Sequence, residues 1–288
     1  MLASIAAAAV LGCSGIVWGI ASRSQMILLD GAYALVGIVL SALLLRASSL
    51  AGRGPTRRYP FGLEAATPLA IGVQGFVLLA TLLYAMYEAV LSLRSGGSEV
   101  TAGWAIAYGI VVTVSSVAFT AWIARTAGSS DVLVSETAAW RIGAWRGVGM
   151  VLGFGVLALA VRQGWDGVAP YVDPVMVLVS CAALVGSPLR MIRDTAVELL
   201  EAAPPTQISE PVGRAVAELG AEYGIDEPEV HLTKLGPKLY LEVSATVDEH
   251  VTVREAHAAR ERLRGRLDAL PYDVWLNVEL RPRGANDG

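Results

Sequence analysis

Six apolar runs, at residues 1–22, 24–45, 65–87, 100–124, 147–161 and 174–189, limit what this chain can fold into more than any other feature, because each is free or nearly free of charge. A helix rises about 1.5 Å per residue and needs about 20 residues to cross the hydrocarbon of a bilayer. The first four runs meet that length. The last two are short, so their helices must extend into flanking polar sequence, and the fifth is expected to begin near Ser135 with Arg141 and Arg146 in its first turns. Helices are the form such runs take, since each satisfies its own backbone hydrogen bonds where the solvent offers no partners. The first run lacks the basic start of a signal peptide and other long apolar runs follow it, so it reads as a retained span.

Charge divides the chain in two. Residues 1–200 carry 12 Arg against 10 Asp and Glu, whereas residues 201–288 carry 10 Lys and Arg against 16 Asp and Glu. A nearly uncharged front with a charged, acidic tail implies a six-span membrane domain at 1–200 and an extramembrane domain at 205–283. Arginine sets the expected orientation. Arg46, Arg53, Arg57, Arg58, Arg125, Arg190 and Arg193 fall on one side, and Arg23, Arg94 and Arg162 on the other. The positive-inside rule then puts both termini and the tail in the cytoplasm of a multi-pass cell-membrane protein. Cys13 and Cys181 both lie within apolar runs and read as small buried residues, with no disulfide framework or zinc cluster.

Pro204-Pro205 ends the membrane portion, because consecutive prolines cannot continue a helix. Beyond it the pattern predicts a helix at 209–223, strands at 228–234 and 238–246, a helix at 251–269 and a last strand at 273–280. Gly236-Pro237 marks the turn between the first two strands, and Leu239, Leu241 and Val243 alternate with Tyr240, Glu242 and Ser244. This α-β-β-α-β order predicts a small α+β sandwich with both helices on one face of a three-stranded sheet. The other sheet face is left bare, and dimerisation is a natural cover for it.

Asp30 is the residue most able to carry chemistry. A carboxylate inside a span is costly, so it usually faces a bundle interior and marks an ion or proton path; hydration at the interface or pairing with an arginine is the alternative. Glu136, Ala139, Gly143 and Arg146 share one helical stripe. If that stripe faces Asp30, two arrangements are open. Asp30 and Glu136, helped by Gln25, Tyr33 or Gln74, form an oxygen-rich cation and proton pathway. Alternatively, Arg146 is a built-in cation that neutralises Asp30, and no metal binds. Glu64 and Glu88, which bracket the third run, read as interfacial charges, and the basic loop from Arg53 to Arg58 reads as a topology signal or a lipid-headgroup contact.

Ser24-Gln25-Met26-Ile27-Leu28-Leu29-Asp30-Gly31 followed by Tyr59-Pro60-Phe61-Gly62 resembles the second span and following loop of the cation diffusion facilitator family, and Glu136 with Trp140 resembles the start of the fifth span in one branch. Span count, loop lengths and the tail extend the resemblance over nearly the whole chain. It implies a six-helix transmembrane bundle with a ferredoxin-like cytoplasmic domain, exchanging a divalent cation for protons. It also implies four metal ligands, two each on spans two and five. Asp30 matches the first, while the others fall on Ala34, Ala139 and Gly143. In many relatives the tail binds regulatory metal through a helix His and last-strand residues. Here those positions are His257, Asn277 and Glu279, and His231 and His250 have no counterparts.

The resulting expectation is a homodimer, joined through both domains, that exports zinc, manganese, iron or cobalt as substrate and holds no tightly bound cofactor. A transport-inactive relative, serving as a structural, regulatory or heterodimer partner, is the alternative. With no Ser/His/Asp set, HExxH or P-loop, the chain reads as a secondary transporter and not an enzyme. Lipid, a divalent cation and protons are the expected partners; nucleic acid is not.

Overall fold

The computed structural model describes residues 2–100, 102–126, 131–165, 167–223, 226–248 and 250–282. Each long apolar run forms a helix: α1 (Leu2–Ser22), α2 (Gln25–Ala51), α3 (Ala66–Arg94), α4 (Ala102–Thr126) and α5 (Asp131–Arg162). The last run gives a short 3-10 turn at Ala169–Tyr171, then α6 (Val172–Leu184) and α7 (Gly186–Leu199). The break between α6 and α7 has a local cause, since Pro188 has no N–H to donate to the Leu184 carbonyl one turn earlier. Among the described residues, six segments suit a bilayer by length and composition, the last being Ala169–Leu199. The fifth helix begins four residues before the expected Ser135, at Asp131.

Residues 1–42 with 74–190 form one compact unit. Its interior packs Ile27, Leu82, Tyr108, Met150, Phe154, Val177 and Cys181, while Val10, Val39, Phe76, Leu152 and Val179 point outward. Apolar side chains on the outside are what a lipid solvent permits. Helix association there depends on close approach and not on hiding apolar surface. Glycine supplies that approach. A Cβ at Gly31 would lie 2.7 Å from the Ile16 nitrogen of α1, and one at Gly147 would lie 2.8 Å from the Thr113 nitrogen of α4.

Residues 43–73 with 191–288 form the second unit. It contains α8 (Thr206–Tyr223), β1 (Asp226–Leu235), β2 (Lys238–Val247), α9 (Val253–Leu267) and β3 (Asp273–Pro282). The α-β-β-α-β order is the expected one, with boundaries shifted by a few residues. Helix α8 starts directly after the prolines because the Pro205 carbonyl accepts from Ile208 and Ser209. Helix α9 starts at a capping box in which Thr252 and Glu255 satisfy each other's backbone N–H groups. The sheet runs β1-β2-β3, antiparallel then parallel, with β2 in the centre. Leu239, Leu241 and Val243 of β2 pack beneath Val212, Val216 and Leu219 of α8 and Ala259, Leu263 and Leu267 of α9. Tyr240 and Trp275 meet on the opposite face, with ring centroids 5.8 Å apart.

The β1–β2 turn is held by two glutamates of this unit. Glu198 Oε1 accepts from Lys234 Nζ at 2.9 Å and from the Gly236 N–H at 2.7 Å, and Glu64 Oε1 accepts from Lys238 Nζ at 3.3 Å. Burial alone would lower the Lys238 pKa, but the Glu64 hydrogen bond and charge outweigh it and hold the ammonium above its usual range. Glu64, expected at an interface, is buried and ion-paired. Gly236 has φ +59°, and a Cβ there would lie 2.5 Å from the Glu64 carbonyl oxygen. Gly236→Ala is therefore expected to cost about 2 kcal/mol from left-handed strain and overlap together, read as a lowered melting temperature. An unchanged melt would mean that the turn does not bear on this contact.

Candidate cation site in the membrane bundle

Asp30 sits on the second turn of α2, and its side chain is 6% exposed. Two groups from different helices converge on it. Arg146 Nη2 of α5 lies 3.2 Å from Oδ1, and the Tyr108 hydroxyl of α4 donates to Oδ2 at 3.0 Å. Tyr108 reaches this position because Gly15 on α1 has no side chain; a Cβ there would lie 2.6 Å from the hydroxyl oxygen. Trp18 packs edge-on against the Tyr108 ring, at 5.7 Å between centroids. A carboxylate in a medium of low dielectric is tolerated when a cation and a donor satisfy it, and Asp30 has both. The Arg146 guanidinium is less completely served, because its buried Nε has no hydrogen-bond partner.

The pair forms part of the wall of a cavity of about 350 Å³ between α2, α5 and α6. Tyr33 lines it with Met26, Met150 and Met176, and most of the remaining wall is aliphatic or glycine. The site thus combines a neutral ion pair, a phenol and three thioethers around one space. Among the described residues no group of three or more His, Cys, Asp or Glu side chains gathers as a metal-holding set.

The other sequence candidates fall in several places. Arg146 lies within ion-pair distance of Asp30. Tyr33 is in the cavity wall. Gln25, at the start of α2, and Gln74, on α3, are half-buried and outside that lining. Glu136 and Ala139 lie on α5, but their side chains are outside the described ones. A Cβ at Gly143 would meet Ser116 Oγ of α4 at 2.9 Å, so this point of the stripe turns towards α4. Ala34 neighbours Gly12 of α1. In the second unit His257 is exposed on α9. Asn277 donates to Glu242 Oε1 at 3.0 Å, and Glu279 binds Arg281. Leu276 is buried against the helices, so Asn277 and Glu279, out of phase with it, face away from them. His257 and these strand residues are not brought together within one chain.

Sequence reasoning overlooked Asp173. It lies in the first turn of α6, is 1% exposed, and reaches across to the start of α2. Its carboxylate accepts from Ser24 Oγ at 2.6 Å, the Gln25 N–H at 2.9 Å, the Met26 N–H at 3.3 Å and Ser98 Oγ at 3.4 Å. The first N–H groups of a helix have no intrahelical acceptor and favour negative charge, so Asp173 caps α2 from a distant part of the chain. The one available sequence signal was a lone acid at the edge of a short apolar run, and it did not name the partner.

Compared with known proteins, the chain has no match among curated sequences. Residues 1–200 match the family model described as the Cation efflux transmembrane domain. That match covers more than two thirds of the chain and spans all six membrane-suited segments, including the α2 and α5 residues of the ion pair. The chain belongs to the cation efflux, or cation diffusion facilitator, family of membrane cation transporters.

Proposed function

We propose that this protein is a cation/proton antiporter that exports its cation from the cytoplasm, with Arg146 as an internal counter-ion of Asp30. The observation that carries this reading is the buried Asp30 carboxylate, shared between Arg146 and Tyr108 at the wall of a cavity large enough for an ion. At rest the pair is neutral. An entering cation meets a pair that carries no net charge. A proton arriving at the carboxylate removes its negative charge and leaves Arg146 positive beside the cavity, which repels the cargo. Proton and cation thus exclude each other, which is the requirement for exchange, and alternating access gives it direction. The arginine bias supports cytoplasmic termini in the cell membrane. The bare sheet face bearing Tyr240 and Trp275 supports a homodimer.

Flux in reconstituted vesicles under a pH gradient tests this. Wild-type protein is expected to move cation against the proton gradient, and Asp30→Asn to lower the flux by about tenfold or more. Equal flux in both proteins rules the reading out.

A second reading has a specific observation behind it. With Ala34, Ala139 and Gly143 at the remaining ligand positions and Arg146 already on Asp30, the chain is a transport-inactive partner for a related subunit. Absence of flux for zinc, manganese, iron, cobalt and silver, in wild-type protein and in Arg146→Ala alike, selects it.

A further inference from the structure

The chemistry of the cavity wall departs from that of a site for a hard or borderline divalent ion. Asp30 and Arg146 cancel in charge, and the remaining polarizable groups are thioethers. Half of the chain's six methionines, Met26, Met150 and Met176, line this one space from three different helices. Their placement is specific. The Ser180 hydroxyl of α6 donates to Met26 Sδ of α2 at 3.5 Å. One turn before Ser180, Met176 Sδ occupies the room left by Gly153 of α5, where any Cβ would overlap the sulfur. Met150 lies one turn before Gly153 on α5. Methionine commonly fills gaps in cores, and Met26 and Met150 belong to the bundle core at 8% and 1% exposed, yet all three also line the space next to the ion pair.

We propose that the cavity binds a soft monovalent cation, copper(I) or silver(I), through the thioethers of Met26, Met150 and Met176. Thioethers favour such ions, whereas zinc, manganese, iron and cobalt draw their affinity from imidazole, carboxylate and thiolate groups. Charge points the same way. The cost of bringing an ion into a low-dielectric cavity grows as the square of its charge, so a divalent ion pays roughly four times as much as a monovalent one. The neutral pair beside the cavity supplies no net negative charge to offset the difference. The inference rests on reading this cavity as the chamber of the transported cation, and it names the class of that cation.

Silver(I) binding to the purified full-length protein tests it without requiring transport. The parent carries Cys13→Ser, which removes an exposed thiol. Titration calorimetry gives affinity, and X-ray absorption at the silver edge gives the ligand atoms. The expected result is one silver per chain in a sulfur-rich shell, with zinc(II) unable to displace it. Leucine conserves methionine's volume, so the combined Met26→Leu, Met150→Leu and Met176→Leu variant should keep its fold and lose roughly 100-fold in affinity. If that variant does not fold, Met176→Leu alone should lose roughly tenfold. The proposal is overturned by undiminished silver affinity in the leucine variants, by a nitrogen and oxygen shell, or by zinc displacing silver at equal concentration. Silver binding without flux removes the antiport reading and leaves this inference standing; zinc-driven exchange without silver binding does the reverse.

Discussion

Replacing Arg146 with leucine is expected to destabilise the folded protein by about 3 kcal/mol, near the lower end of the range for breaking a buried ion pair. Asp30 would keep only the Tyr108 hydroxyl around a carboxylate whose side chain is 6% exposed. The lower end applies because Asp30 retains one hydrogen bond, from the Tyr108 hydroxyl at 3.0 Å. Asp30→Leu should be similarly damaging, since it strands a guanidinium whose Nε already lacks a partner. The double variant, Asp30→Leu with Arg146→Leu, should recover most of the loss, because two apolar side chains remove both desolvation penalties together. Equilibrium unfolding of the four proteins in detergent gives the coupling directly. Additive single effects would mean that the pair does not act as a unit, and Asp30 would need another source of neutralisation.

Asp173→Ala is expected to cost on the order of 3 kcal/mol as well, by a different route. It strands the Ser24 hydroxyl and the Gln25 and Met26 N–H groups at a buried helix end, and orphaned buried donors cost about 1–3 kcal/mol each before relaxation. The missing negative charge also leaves the α2 N-terminus without its dipole partner. Asp173→Asn should fall between alanine and wild type. It keeps one acceptor oxygen but turns an amide NH2 towards a group that itself donates. Asp30 lies less than two turns along α2 from this cap, so the same changes should loosen the cation site. Hydrogen exchange at residues 25–28 together with denaturation reads both effects. Unchanged protection in Asp173→Ala would show that Ser24, which accepts from the Ile27 N–H, caps α2 unaided.

The fold was legible where the information is local. Long uncharged runs announce helices in lipid, and the period-two alternation from Leu239 to Ser244 announces a half-buried strand. Each signal needs only near neighbours in sequence. Boundaries moved where a local detail intervened, as at Pro188, which splits the sixth span, and at Pro205, whose carbonyl starts α8. The site was less legible. A buried acid at Asp30 was evident from its place in an apolar run, but its partner depended on the rotation of α5 relative to α2. Arg146 was one of two arrangements that the spacing allowed. The partner of Glu64 was not legible, because Lys238 lies 174 residues away.

By itself, then, the amino-acid order determined six membrane helices, an acidic α-β-β-α-β tail and a carboxylate placed where carboxylates are costly, because hydrophobicity, helix period and proline act over a few residues. Tertiary structure alone decided that Arg146 and Tyr108 share Asp30, that Asp173 caps α2 across 149 positions, and that three methionines from three helices border one cavity. Those contacts follow from how closely glycine-bearing helices approach and how they are turned about their axes. Neither quantity is encoded in any single stretch of chain.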